Sequence, residues 1–388
     1  MRRRTFLELS AALGTGAAVA WSGPAAAAGT VTAGGAGAGT ATGGSADAGL
    51  GGSHGPGPGG EHEPRPDLVV AADGSGDVAT VQAAIDAAPS GRTEPYVIGI
   101  RPGTYLGQVV VPADKTWIEL RGLGRQPDDV VVADDRANGT VKPDGTTWGT
   151  SGSASVTVSG AGFTASNLTL ANLFDEAAHP EITNQQAVAI LTRADQLVFD
   201  RVRFLANQDT LYVNSTSASV IARAYFKDCY VEGDVDFIFG RGTAAFDRCR
   251  IHSLNRGSSP NGYVTAPSTD IANPHGLLFS RCRFTSDAPA GTVYLGRPWH
   301  PSQDPNAIGQ AIIRESWIGT HIGAEGWSDF GTWPWEDARL AEYRNFGPGA
   351  LTGDGRPRLT DEEAATATVA DFLRGSDGWA PDLGCSSR

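Results

Sequence analysis

The sequence predicts an all-β solenoid whose coils stack as a parallel β-helix, and three observations carry that prediction. A six-residue pattern, apolar-x-x-apolar-x-apolar, recurs at 165–170, 199–204, 226–231, 246–251 and 279–284, and more loosely at 313–318. Equivalent positions in these copies (168, 202, 229, 249, 282, 316) are separated by 34, 27, 20, 33 and 34 residues, the size of a solenoid coil with loops of variable length. Helical periodicity is scarce between Pro89 and the C-terminal tail. A β-sandwich with coincidental similarity is the alternative, but it does not require one in/out pattern, with a small residue or Cys often in the same slot, in unit after unit.

Taken in order, the chain opens on Arg3-Arg4-Thr5-Phe6-Leu7 and an Ala-rich apolar run ending at Ala25–Ala28. This fits a twin-arginine export signal over residues 1–28 and predicts a secreted, extracellular protein. The apolar run is too short and too rich in Ala and Gly to serve well as a membrane anchor. Residues 29–66 are mostly Gly, Ala, Ser, Thr and Pro, too poor in large apolar side chains to offset the entropy of ordering, and read as a linker. Gly51-Gly52-Ser53-His54-Gly55 matches a nucleophile elbow in letters only, since no strand or helix is expected around it. The solenoid is expected over 67–388. It begins with a strand at Leu68-Val69-Val70 and a capping helix from about Val78 to Ala88, stopped by Pro89.

Cys229, Cys249 and Cys282 share one slot of successive copies and should stack inside the coil. Adjacent strands lie about 4.7–4.9 Å apart, so a Cys229–Cys249 bridge and a pair of free thiols used as small core fillers both remain open. Neither the cysteines nor the seven His show metal-ligand spacing. A net charge of −13 disfavours nucleic acid and anionic membranes as partners.

The chemistry centres on Tyr230-Val231-Glu232-Gly233-Asp234-Val235-Asp236-Phe237-Ile238-Phe239-Gly240. Asp236 stands in an apolar run, where a carboxylate is costly unless a cation or hydrogen-bond donor meets it. Gln186 precedes Asp209 by 23 residues and Asp209 precedes Asp236 by 27, each about one coil. Gln186, the Gln208-Asp209 pair and Asp236 are therefore expected on adjacent rungs of one face, with Arg297 returning over the same patch. Two neighbouring carboxylates do not both ionise readily in a partly dry site; a guanidinium beside one keeps it charged and pushes the other toward its acid form. That pairing supplies a nucleophile and a general acid, and two amides supply donors for an oxyanion. Spacing alone also admits a glycosidase, which uses two carboxylates; the amides tilt the reading toward ester hydrolysis.

These segments, together with Gln186-Ala187-Val188-Ala189, Gln208-Asp209-Thr210-Leu211-Tyr212, Gly262-Tyr263-Val264-Thr265-Ala266-Pro267-Ser268-Thr269, Leu295-Gly296-Arg297-Pro298-Trp299 and Glu342-Tyr343-Arg344-Asn345-Phe346-Gly347-Pro348-Gly349-Ala350, resemble the pectin methylesterases in sequence and in order, from about residue 68 to 381. The wording around Thr265 is closest to bacterial members. The resemblance implies a right-handed helix and assigns roles by matched position. Asp236 would be the nucleophile, Asp209 the acid and then the base, Gln186 and Gln208 the oxyanion donors, and Arg297 the orienter of Asp236. Trp299 would stack on a sugar ring, with Tyr212 and Phe239 lining the groove. The substrate implied is methylated homogalacturonan, with no metal or cofactor and a monomeric enzyme. Arg241 departs from the family pattern, which usually has a small or amide residue there, and predicts an added cation near the groove. His300 is expected at the surface. The rival functions are a chain-cleaving β-helix pectinase, whose hydrolase signatures and acidic calcium clusters are missing here, and a non-catalytic sugar-binding solenoid. The overall acidity predicts a preference for highly methylated, nearly neutral pectin.

Overall fold

The computed structural model describes residues 65–353 and 355–381. The expected export signal, most of the linker and the elbow-like Ser53 lie outside the described residues. Within them, parallel strands stack into three sheets of ten, seven and eight strands, each complete coil contributing one strand to each sheet in turn and the end coils fewer. This is a right-handed parallel β-helix, as expected. The core runs down the inside of the coil, filled by residues such as Val70, Leu120, Phe163, Leu170, Ile190 and Leu295.

The repeated six-residue pattern is not one strand but a corner. Phe199 lies on the ten-stranded sheet (Leu197–Asp200) and Phe204 on the eight-stranded sheet (Arg203–Leu205), with Arg201 between them at φ 52°. The equivalent residues Asn167, Asp228, Arg248, Arg281 and Glu315 are also left-handed, at φ between 51° and 56°. Each such residue costs about 1–2 kcal/mol of local strain, offset by a turn that buries the apolar residue on either side. Asn167 also uses its side chain, whose Nδ2 donates to Gly122 O and Gly124 O at 3.0 and 2.9 Å.

Stacking is most regular at Phe199, Phe226, Phe246 and Phe279, whose rings lie 4.7, 4.5 and 4.7 Å apart and within 9° of parallel. Each ring is fully buried, and Phe226 and Phe246 each touch a stacked ring above and below, so truncating one of these two removes contacts in two directions. Phe226→Ala is expected to destabilise the protein by about 3–5 kcal/mol, checked as a lowered urea midpoint. The cysteine slot follows each corner, and the bridge left open by the sequence is not made: Cys229, Cys249 and Cys282 are buried free thiols. Each donates to a backbone carbonyl one coil earlier, of Phe199, Phe226 and Phe246, at 3.3–3.4 Å. The hydrogen bonds use the stacking direction that a disulfide would have needed.

The capping helix is shorter than expected, Val81–Ala87. Thr80 Oγ1 accepts from Ala83 N and starts it there, while Val78 pairs in a bridge with Val70. Its buried face (Val81, Ala84, Ile85) closes the N-terminal end of the core. The C-terminal tail forms two short capped helices, Asp361–Ala365 and Val369–Arg374. Val369, Phe372 and Leu373 pack on Tyr225, Ala245 and Leu278, on the outer face of the ten-stranded sheet. Arg223 fastens this tail, bonding Asp195 on the coil and Asp377 beyond the last helix, each at 2.6 Å. Among the described residues, no helix is long and apolar enough to cross a membrane.

Candidate active site

The seven-stranded sheet carries the site. Its strands include Ile190–Thr192, Leu211–Val213, Val235–Gly240, Gly262–Pro267 and Val293–Gly296, in that stacking order. Ile190, Leu211 and Ile238 point into the core, whereas Leu191, Tyr212, Phe239 and Ala266 form a separate apolar cluster on the outer face, with Trp299 against it. Strict alternation would place Asp236 inward with Ile238. The register instead shifts between Val235 and Ile238, so that Asp236 and Phe237 together oppose Val264. Phe237 takes the core position and Asp236, at φ 49°, is released from it. A bulge in an apolar run thus turns a buried carboxylate toward the groove.

Arg297 meets Asp236 as a two-pronged fork: Nε donates to Oδ1 at 2.9 Å and an Nη to Oδ2 at 2.7 Å. Arg297 N donates to Thr265 O at 3.0 Å, which sets the segment after Val293–Gly296 over the neighbouring rung. The guanidinium is held between the rings of Tyr263, 3.8 Å away, and Phe330, 4.6 Å away. Asp209 lies on the adjoining rung, its N–H donating to Val235 O at 3.1 Å. It too is left-handed, at φ 67°. Both acids are more than nine-tenths buried. Burial first, then the charges of Asp236 and Asp234, push the Asp209 carboxyl well above the usual range, against the pull of Arg297 and Gln208. Burial also raises Asp236, but its bonds to Arg297 oppose that rise directly. The two carboxyls therefore differ in the expected sense: the one in the fork is the stronger acid.

Gln186 and Gln208 join the same patch. Ala187 N donates to Gln208 O at 3.1 Å, placing the two segments on neighbouring rungs. Asn138 Nδ2 donates to Gln186 Oε1 at 3.1 Å, and the Gln186 NH₂ is left without a partner among the described residues. An amide fixed by its carbonyl end is a positioned donor. The aromatic positions also assemble: Tyr212 and Phe239 stack at 4.1 Å, and the Trp299 ring meets them edge-on at 6.1 and 5.6 Å. Trp299 remains partly exposed, as a sugar platform requires.

All eight residues singled out from the sequence are thus brought to one face. His300 is a correction: it is buried, stacked on Trp333 at 3.8 Å, with Nδ1 bonded to Asp304 O. Sequence reasoning also missed four neighbours. Asn138 orients Gln186, Tyr263 and Phe330 sandwich Arg297, and Asp234 adds a third buried carboxylate, whose Oδ1 accepts from Val235 N at 2.7 Å. Only Asp234 carried a local signal, as a second acid two residues from Asp236.

Against known proteins, the pectinesterase family model matches residues 67–376. The chain is 37% identical over 338 residues to pectinesterase A of Dickeya dadantii, covering 78% of this chain and 88% of that one. It is 36% identical over 313 residues to pectinesterase 31 of Arabidopsis thaliana, covering 78% and 91%. Among solved structures, a pectin methylesterase in complex with a hexasaccharide superposes with a TM-score of 0.74 at 34% identity, over 83% of this chain and 100% of that one. The carrot pectin methylesterase superposes with a TM-score of 0.68 at 32% identity, over 81% and 94%. A matched model spanning most of the described residues, on a fold that gathers two unlike carboxyls, a guanidinium fork and positioned amides, establishes that the chain belongs to the pectinesterase family and is a carboxylic ester hydrolase.

Proposed function

We propose that the enzyme hydrolyses the methyl esters of pectin through an acyl-enzyme on Asp236. The observation that carries this reading is the fork of Arg297 on Asp236 beside a carboxyl, Asp209, that burial and charge keep toward its acid form. A carboxylate oxygen of Asp236 attacks the ester carbonyl of a methylgalacturonate unit, and the oxyanion takes hydrogen bonds from the amides of Gln186 and Gln208. Collapse breaks the ester C–O bond, and the methoxy oxygen leaves as methanol with the proton of Asp209. The resulting anhydride is opened by water, whose proton goes to the now charged Asp209. Asp236 is regenerated and the product leaves with its free carboxyl group. Trp299 stacks on a sugar ring, and Tyr212 and Phe239 form the floor beneath it.

The polymer substrate suits an enzyme outside the cell. We read residues 1–28 as the twin-arginine export signal and 29–66 as a linker ahead of a solenoid that works as a monomer. Methanol release from methylated pectin, with no new reducing or unsaturated ends, is the expected result. Chain scission without methanol would point to a pectinase, and binding without turnover to a sugar-binding solenoid.

A further inference from the structure

The eight-stranded sheet holds none of the candidate catalytic residues, yet its outer face has a pattern of its own. Along it Arg203, Tyr230, Arg250, Arg283 and Trp317 pair in register on successive rungs, and Phe346 bridges to Trp317 on the next. Their neighbours Phe204, Val231, Ile251, Phe284 and Ile318 fill the core, so alternation sends this row outward. Cations and aromatic rings are thus interleaved in a line that follows the axis of the solenoid.

The rings hold the cations in place. Tyr230 takes two guanidiniums, with Arg203 Cζ 4.9 Å and Arg250 Cζ 5.7 Å from its centroid, and Arg283 Cζ lies 4.1 Å over Trp317. A guanidinium stacked by its face keeps its N–H edge free for a planar acceptor. The carboxylates around the row are engaged elsewhere. Asp128 meets Arg203, Glu232 accepts from the Tyr230 hydroxyl at 2.7 Å, and Asp287 faces His252. Toward the corner, Asp228 and Asp247 are both bonded to Arg248, and Asp247 to Arg281 as well. Arg250 and Arg283 are left without a carboxylate among the described residues, although Arg250 Nε donates to Thr285 Oγ1 at 3.2 Å. Both are exposed, and they are paired residues of adjoining strands, about 4.7–4.9 Å apart. Like charges so placed repel. In a chain of net charge −13, acids to neutralise them are not in short supply.

We propose that this face is a second polysaccharide-binding surface, on a different sheet from the esterase site, where Arg250 and Arg283 take free carboxylates of a polygalacturonate strand lying along the solenoid axis. The choice of polygalacturonate rests on the pectin reading above; the anionic and planar character of the bound groups rests on the face itself. Two guanidiniums one rung apart suit a polymer that repeats a carboxylate along its length. A methyl ester carries no charge and cannot form the charge-assisted pair. Phe346, more than half exposed at the end of the row, offers an apolar ring to the C–H face of a sugar. Distant surface acids do not cancel the attraction, since they are screened over a Debye length of about 8 Å. Exposed ion pairs are individually weak, so the surface acts as a tether. It keeps the enzyme on demethylated stretches of the polymer while the groove on the seven-stranded sheet works on another segment.

The test uses Arg250→Gln, Arg283→Gln and the double variant, each made in wild type and in Asp236→Asn. In the Asp236→Asn set, a short methylated oligogalacturonate occupies the groove while affinity electrophoresis measures binding to unesterified polygalacturonate at low salt. The dissociation constant is expected to rise about threefold in each single variant and about tenfold in the double one. Added salt should weaken the parent and leave the double variant nearly flat. In the active set, methanol release from the short oligosaccharide should be unchanged, and release from pectin held in an insoluble pectate network should fall severalfold. Unchanged retardation by polygalacturonate overturns the proposal. An equal loss on the short oligosaccharide also overturns it, since the arginines would then act on the groove. The same loss of binding to a DNA oligonucleotide or to anionic phospholipid vesicles would make the face a general anion surface and overturn the polysaccharide assignment. Should wild type release no methanol from any pectin, the esterase reading itself fails; retardation of the same folded proteins still decides the face.

Discussion

Asp236→Asn is expected to lower methanol release from methylated pectin by roughly ten-thousandfold or more while leaving the protein folded. The backbone at this position is left-handed, at φ 49°, a conformation that Asn adopts more readily than most residues, so the bulge that presents the side chain persists. The chemistry does not. An amide offers no anionic oxygen to attack the ester, and its NH₂ would oppose the Arg297 donors that the carboxylate accepts at 2.9 and 2.7 Å. Far-UV circular dichroism and single-turnover methanol assays separate loss of chemistry from loss of structure. Activity within tenfold of wild type would remove Asp236 as the nucleophile.

Asp209→Asn should lower kcat by a factor on the order of 10²–10⁴, the usual worth of a positioned proton donor. Its pH behaviour is the more discriminating readout. In the proposed mechanism Asp209 serves as acid only while protonated, and burial together with the Asp236 charge raises its pKa well above the ordinary value. Wild-type acylation therefore declines as pH rises through that raised value. Asp236 serves only while ionised, so activity also declines as pH falls through its own pKa, which burial raises and Arg297 resists. The result is a bell whose alkaline limb belongs to Asp209 and whose acid limb belongs to Asp236. In Asp209→Asn the residual activity should keep the acid limb and lose the alkaline one. Persistence of the alkaline limb would assign it to another group.

The fold was legible because a solenoid writes its period into the chain: each corner needs an apolar residue on either side and a small one behind it, and Phe226, Phe246 and Phe279 repeat that requirement openly. The nearness of the candidate catalytic positions was legible for the same reason, since one coil of separation means one rung of distance. What escaped notice has no linear signature. The bulge at Asp236 lies in Val235–Gly240, where every neighbour is apolar and inward and outward positions look alike. Tyr263 and Phe330 reach Arg297 from opposite sides and from segments far apart in sequence. Asn138 governs Gln186 across a loop whose path no periodicity describes. His300 follows an exposed indole and would be judged exposed with it, yet Trp333 arrives from a later loop to cover it. The thiols were ambiguous because spacing fixes how near two sulfurs come, whereas the carbonyl that each thiol chooses depends on side-chain rotamer.

Those thiols bear on when and where the enzyme matures. The three buried cysteines are spent on carbonyls of the preceding coil, and the described residues hold together without covalent crosslinks. The described residues thus need no oxidising compartment or bond-shuffling catalyst to reach this shape, and completion in a reducing cytoplasm is the order of events that the twin-arginine route proposed for residues 1–28 would require.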